Sequence, residues 1–179
     1  MKNVQLHDLA FEPFISAKEI DEAILRMAHE IDASYRDLNP VLLVVLNGAF
    51  VFAADLVRKI SIPIRLDFLR VASYDGTSST GKMEEHFLWK MDLVGQHVII
   101  IEDIVDTGTT LEFLLNKISK EEVASLKVAC LLEKPEASKY KAEIQFSGFA
   151  IPDVFVVGYG LDYNGLGRDL DCIYMRSQE

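Results

Sequence analysis

Apolar and polar positions along the chain fall into two alternating kinds of stretch. Ile20, Ile24, Met27, Ala28, Ile31 and Tyr35 recur at helical spacing. Ser16 followed by Glu19 reads as a capping box, so one amphipathic helix is predicted over about 17–35. Pro40 closes the turn behind it. Val41-Leu42-Leu43-Val44-Val45-Leu46 is a continuous apolar run without alternation, as expected of a strand covered on both faces. Asn47-Gly48-Ala49 turns the chain, and a helix is predicted to follow as far as Ile60. Further strands are predicted at 64–71, 98–101, 126–132 and 154–157, with a helix over about 108–118.

This succession of strand and helix implies an α/β fold: a mostly parallel, twisted sheet flanked by helices. Ligands of such sheets bind beyond the carboxyl ends of the strands. Chemistry-bearing residues fall at those ends. They are Asn47-Gly48 after the first buried strand, Glu102-Asp103 after the second, Lys134 after the third, and Gly158 to Asp162 after the fourth.

A chain of 179 residues suits a single domain, and a composition that is 50% hydrophobic argues against disorder. The net charge of −10 argues against nucleic acid or an anionic membrane as the main partner. Cys130 and Cys172 lack metal-ligand spacing and sit among apolar residues, so they read as reduced core thiols of a cytoplasmic protein. The first residues carry no long apolar stretch, so no signal peptide is expected, and no apolar run reaches membrane-spanning length. His7, His29, His86 and His97 are scattered and form no metal spacing. No phosphate-binding G-x-x-x-x-G-K-[ST] occurs, and Gly158-Tyr159-Gly160 meets Tyr163 where a dinucleotide fingerprint needs its third glycine.

Residues 98–110, Val-Ile-Ile-Ile-Glu-Asp-Ile-Val-Asp-Thr-Gly-Thr-Thr, are the most telling run. A buried strand meets a carboxylate pair, then a turn of hydroxyls and glycine at a helix start. Such a start offers unpaired backbone N–H groups and the positive end of a dipole to a phosphate. Thr107, Thr109 and Thr110 add hydroxyl donors, and Gly108 lets the backbone come close to the anion. Glu102 and Asp103 can accept hydrogen bonds from sugar hydroxyls or hold a hard divalent cation. Alone, Asp106 reads as a helix cap, Lys134 as a snorkelling surface lysine, and Phe155-Val156 as core strand.

The run resembles the phosphoribosyl-diphosphate signature of the type I phosphoribosyltransferases. Its E-D-x-x-D-T-G-x-T form is similar to that of the purine-salvage members, the hypoxanthine-guanine phosphoribosyltransferases. The resemblance covers about 41–176. It implies the type I phosphoribosyltransferase fold as one domain over 1–179, with a core over about 37–160. A small hood would form from the N-terminal part and about 161–179. It implies transfer of phosphoribosyl from the diphosphate sugar to N9 of a 6-oxopurine, giving IMP or GMP and pyrophosphate. It further implies Mg²⁺ as cofactor and a homodimer or homotetramer.

Carried over residue by residue, Asp106 is the acid–base group beside purine N7. Glu102, Asp103, Asp106, Thr107, Gly108, Thr109, Thr110, Asn47, Gly48 and Arg168 bind the diphosphate sugar. Ser73 and Tyr74 open a catalytic flap within a turn-rich stretch, 73–82, that reads as a long loop. Ile104 and Phe155 sandwich the base, Lys134 donates to its C6 oxygen, and Val156 reads its edge. Asp162 belongs to the purine end and, with Glu102 and Asp103, to the metal. Leu46-Asn47-Gly48 matches a diphosphate loop in which a non-proline cis peptide is typical. Some members carry lysine where Asn47 stands, so only the backbone N–H role carries over.

Three other readings remain at this level. One is transfer to another base, which Lys134 and 155–162 disfavour. Another is an RNA-binding regulator on the same fold, which the acidic balance disfavours. The last is a metal-dependent phosphohydrolase built on the acidic cluster.

Overall fold

In the computed structural model, residues 2–70, 89–140 and 143–177 are described. Five strands form a wholly parallel sheet: β3 (Val41–Leu46), β4 (Arg65–Arg70), β5 (His97–Val105), β6 (Ser125–Glu133) and β7 (Phe146–Ala150). Their order is β4-β3-β5-β6-β7. The unalternating apolar runs predicted to be buried on both faces occupy the middle. Val41 to Val44 and Val98 to Ile101 are fully buried. Ile99 and Ile101 pack with α1 (Ala17–Ser34) and α2 (Phe50–Lys59), whereas Val98 and Ile100 pack with α3 (Thr109–Ile118). Helices therefore cover both faces, and the mostly parallel α/β architecture expected from the sequence is present.

α1 begins as its capping box predicts. The Ser16 hydroxyl accepts from the Glu19 N–H at 3.3 Å, and the Glu19 carboxylate accepts from the Ser16 N–H at 2.9 Å. These bonds satisfy donors that a helix start otherwise leaves unpaired.

A second, antiparallel sheet has the order β1-β2-β9-β8, from β1 (Val4–Leu6), β2 (Leu9–Ile15), β8 (Val156–Val157) and β9 (Ile173–Arg176). Phe11, Val157, Cys172 and Tyr174 form its own small core. Both cysteines are free and buried.

Three expectations change. The strand predicted at 154–157 is β8, and it pairs with β9 through Val156↔Met175 rather than joining the parallel sheet. The parallel strand at the edge beside β6 is instead β7, whose Phe-Ser-Gly-Phe-Ala sequence carries little strand signal. It can lie there because Gly148 lets the Leu131 carbonyl approach to 2.4 Å from where a Cβ would be. The second buried strand is also longer than its apolar run, because pairing with β6 continues to Val105↔Glu133. Glu102, Asp103 and Ile104 thus lie inside β5, where ladder bonds fix them, and not in the loop after it.

Candidate active site

The 106–110 bend carries the chain from β5 into α3. Gly108 caps the helix at φ 80°, a left-handed conformation in which a side chain is strained. A Cβ there would also lie 2.9 Å from Ser138 Oγ and 3.0 Å from the Tyr140 carbonyl oxygen. The bend is braced from behind by the chain after β6. Lys139 N–H donates to the Thr107 carbonyl at 3.1 Å, and the Ser138 hydroxyl donates to the Tyr140 carbonyl at 2.7 Å. The Thr107 and Thr109 hydroxyls lie 3.2 Å apart. A pocket of about 80 Å³ opens over the bend, lined by Glu102, Ile104, Asp106, Thr107, Gly108 and Thr110. Hydroxyls and the unpaired first N–H groups of α3 suit a phosphate here.

Asp103 turns toward the loop after β3. Its Oδ1 accepts from the Ile104 N–H at 2.9 Å. A Cβ on Gly48 would fall 1.6 Å from its Oδ2. The Leu46–Asn47 peptide is cis, as the resemblance implied. Gly48 in turn lies against Gly160, where a Cβ would sit 2.2 Å from the Gly48 carbonyl oxygen. The Gly48 and Gly160 backbones thus meet against the Asp103 carboxylate, with no room for a side chain on either glycine.

Glu102 and Asp103 are both buried. Burial is the main cause that pushes the Glu102 carboxyl well above its ordinary range, and the Asp103 charge pushes it further. Burial raises Asp103 too, against hydrogen bonds from Glu102 and the Ile104 N–H and against the Arg168 charge. Of the pair, Glu102 is the carboxyl pushed further up. Its Oε2 is buried with no hydrogen-bond partner among the described residues. A buried oxygen left unpaired is costly in a resting fold and points to a ligand.

Beside the bend lies a larger cleft of about 270 Å³. Gly48, Asp103, Ile104, Asp106, Lys134, Phe155, Val156, Asp162 and Arg168 all line it. Residues more than a hundred positions apart are thus gathered as the sequence reading required. Lys134 follows β6 and is 5% exposed. Its ammonium donates to Asp106 Oδ2 at 3.0 Å and to Asp153 Oδ1 at 3.2 Å. Phe155 remains 43% exposed, so an aromatic face is open to a flat ligand. Arg168 Nη1 donates to the Gly160 carbonyl at 2.6 Å, and its Nη2 pairs with Asp162 Oδ1 at 2.6 Å.

Asn47 adjoins the cis bond but is not among the residues lining the cleft. Ser73 and Tyr74 lie outside the described residues. Asp153 escaped the sequence reading, because Pro152-Asp153 looks like an ordinary turn and nothing local links it to Lys134. Gly160 lies in the 158–162 turn already expected at a strand end, but its close approach to Gly48 is a purely tertiary fact.

No group of three or more carboxylate, histidine or cysteine side chains converges as a ready metal cage among the described residues. Asp162 is engaged on both oxygens, by Arg168 and by the Gly165 N–H at 2.7 Å. This still fits magnesium, which is commonly held by one or two carboxylates together with waters and substrate phosphates. The unpartnered Glu102 oxygen and the adjacent Asp103 provide that partial donor set.

A family model for the phosphoribosyl transferase domain matches residues 16–164. A hypoxanthine-guanine phosphoribosyltransferase of Streptococcus pneumoniae is 40% identical over 166 residues, 92% of each chain. The chain belongs to the hypoxanthine-guanine phosphoribosyltransferases. Solved structures agree. A hypoxanthine phosphoribosyltransferase from Staphylococcus aureus superposes with TM-score 0.87 at 34% identity, over 93% of this chain and 91% of that one. A hypoxanthine-guanine phosphoribosyltransferase from Bacillus anthracis gives TM-score 0.86 at 35% identity, over 93% and 97%. For this phosphoribosyltransferase, the two adjoining pockets acquire a shared meaning. They meet at Ile104 and Asp106, which line both, so a sugar bridging a phosphate and a base would pass over these residues.

Proposed function

We propose that this chain transfers the 5-phosphoribosyl group of phosphoribosyl diphosphate to N9 of hypoxanthine or guanine. The products are IMP or GMP and pyrophosphate, in cytoplasmic purine salvage. One observation carries the reading. The Asp106–Lys134 pair, 3.0 Å apart, stands in a cleft walled by Ile104 and Phe155 that opens beside the hydroxyl-lined bend.

The base lies between Ile104 and Phe155, where stacking on an aromatic face contributes about 1–3 kcal/mol. Lys134 donates to the C6 oxygen, which selects 6-oxopurines over adenine. The Val156 backbone reads the base edge. The turn from Thr107 to Thr110 grips the 5′-phosphate, and Glu102 and Asp103 accept from the 2′ and 3′ hydroxyls. Asn47 and Gly48 offer backbone N–H groups to the diphosphate, and Arg168 adds a guanidinium. The base reacts as the tautomer protonated at N7. Its N9 forms a bond to C1 while the C1–O bond breaks, and pyrophosphate leaves with the electron pair. The N7 proton passes to Asp106, a step for which a placed general base is worth about 10²–10⁴ in rate. Glu102, Asp103 and Asp162 are the residues that would hold Mg²⁺, completed by substrate oxygens. When bound, that cation neutralises charge on the leaving group.

This reading takes residues 1–179 as one domain, with the parallel sheet as core and the antiparallel sheet as hood, assembled as a dimer or tetramer. No helix among the described residues is long and apolar enough to cross a membrane.

The test is incubation with phosphoribosyl diphosphate, Mg²⁺ and each free base in turn. Nucleotide and pyrophosphate should form in equal amounts with hypoxanthine or guanine. Product from adenine, uracil or orotate alone would overturn the choice of base. Phosphate released from simple esters would favour a hydrolase instead.

A further inference from the structure

The Lys134 ammonium is more buried than the two carboxylates it serves, and the reaction just described asks one of them to change its bonding. Lys134 is 6% exposed along its side chain, against 48% for Asp106 and 65% for Asp153. An ammonium taken out of water needs a lasting counter-ion. Asp106 cannot be that counter-ion throughout, because on the reading above it receives the N7 proton and loses its charge. Among the described residues, the Asp153 side chain is paired with Lys134 alone. It lies in the connection between β7 and β8, whose Val154 N–H donates back to the Pro152 carbonyl at 2.8 Å. That bond fixes the backbone on either side of Asp153, whose carboxylate lies 3.2 Å from the lysine ammonium.

We propose that Asp153 is a positioning residue for base specificity: it holds the Lys134 ammonium toward the C6 oxygen of the purine while Asp106 handles the proton at N7. This rests on the proposed transferase reading and adds a role that no local feature around Asp153 announces. The charge count supports it. With Asp106 ionised, Lys134 and the two carboxylates sum to −1; with Asp106 protonated they sum to zero. Without Asp153, proton transfer would leave a buried ammonium with no counter-charge. The geometry also leaves a free donor. A lysine ammonium has three N–H bonds, and the two carboxylates account for two of them. The third is available to an oxygen entering the cleft.

The experiment compares Asp153→Asn, Asp153→Glu, Lys134→Ala and the Asp153→Asn/Lys134→Ala double variant in the full chain. KM and kcat are measured with hypoxanthine. An inhibition constant is measured for unsubstituted purine, which lacks the C6 oxygen. Asp153→Asn should raise KM for hypoxanthine about tenfold, the scale of one charge-assisted hydrogen bond. It should leave binding of unsubstituted purine and KM for phosphoribosyl diphosphate nearly unchanged. Asp153→Glu should restore most of the loss. In the Lys134→Ala background the second change should cost nothing more. Equal weakening of both bases, or additive losses in the double variant, would overturn the proposal and leave the transferase reading intact. If the unaltered protein transfers to no 6-oxopurine, both readings fall together.

Discussion

The Asp103 carboxylate occupies the space that any side chain at position 48 would need. A Cβ on Gly48 would fall 1.6 Å from Asp103 Oδ2 and 2.5 Å from its Cγ. Asp103 has little freedom to yield, since it is buried and its other oxygen is held by the Ile104 N–H. Gly48→Ala should therefore push the carboxylate out of place without unfolding the sheet. KM for phosphoribosyl diphosphate is expected to rise at least tenfold, with a far smaller change in KM for the base. Steady-state kinetics in both substrates would check this, and equal effects on the two would argue against it.

Asp106 and Lys134 separate in the same way. Asp106→Asn keeps an oxygen for Lys134 but cannot take up a proton. Turnover should fall by about 10²–10⁴ while affinity for the diphosphate sugar stays close to normal. Comparable losses in both quantities would remove the acid–base role. Lys134→Ala should instead erode discrimination between hypoxanthine and adenine by about tenfold or more, read as the ratio of kcat/KM values.

Glu102 gives a prediction about stability. Its carboxyl is raised well above the ordinary 4.5, first by burial and then by Asp103. A carboxyl raised on folding stabilises the fold fully below its unfolded value, and that contribution is lost as pH climbs through the folded one. Glu102 thus weighs against the fold near neutrality and not at pH 4. Glu102→Gln should raise Tm by a few degrees at pH 7 and by almost nothing at pH 4. It should also weaken binding of the diphosphate sugar, a cost that sites holding strained charge commonly show. Melting curves at the two pH values decide it, and an equal gain at both would contradict the assignment.

Much of this was legible along the chain because it is local. The unbroken apolar runs at 41–46 and 98–101 announce strands buried on both faces. The order of carboxylates, threonines and glycine in 102–110 singles out the bend that lines the smaller pocket. The Ser16–Glu19 cap is a contact between near neighbours, so spacing reveals it. What stayed hidden depends on distant partners. β8 is two residues long and exists because Met175 and Tyr174 pair with it, so no window around Val156 could assign it to the smaller sheet. β7 is permitted by one glycine against the Leu131 carbonyl. Asp153 acquires its interest only once the fold brings it to Lys134, nineteen positions away.

Gly108 joins local to tertiary causes, and its substitution should report on both. Its φ of 80° penalises any side chain, and Ser138 and Tyr140 fill the remaining space. Gly108→Ala should lower stability by about 1 kcal/mol or more. It should also raise KM for phosphoribosyl diphosphate, because the bend must open. Denaturant unfolding and kinetics on the same preparation would test this, and unchanged values of both would mean that the bend is looser than its packing implies.

The most direct measurement is a crystal structure of the protein with IMP bound. The phosphate should sit on the 107–110 turn, the ribose hydroxyls should face Glu102 and Asp103, and the base should lie between Phe155 and Ile104 with its C6 oxygen on Lys134. A nucleotide whose phosphate lies elsewhere, or whose base stays outside that cleft, would contradict the account.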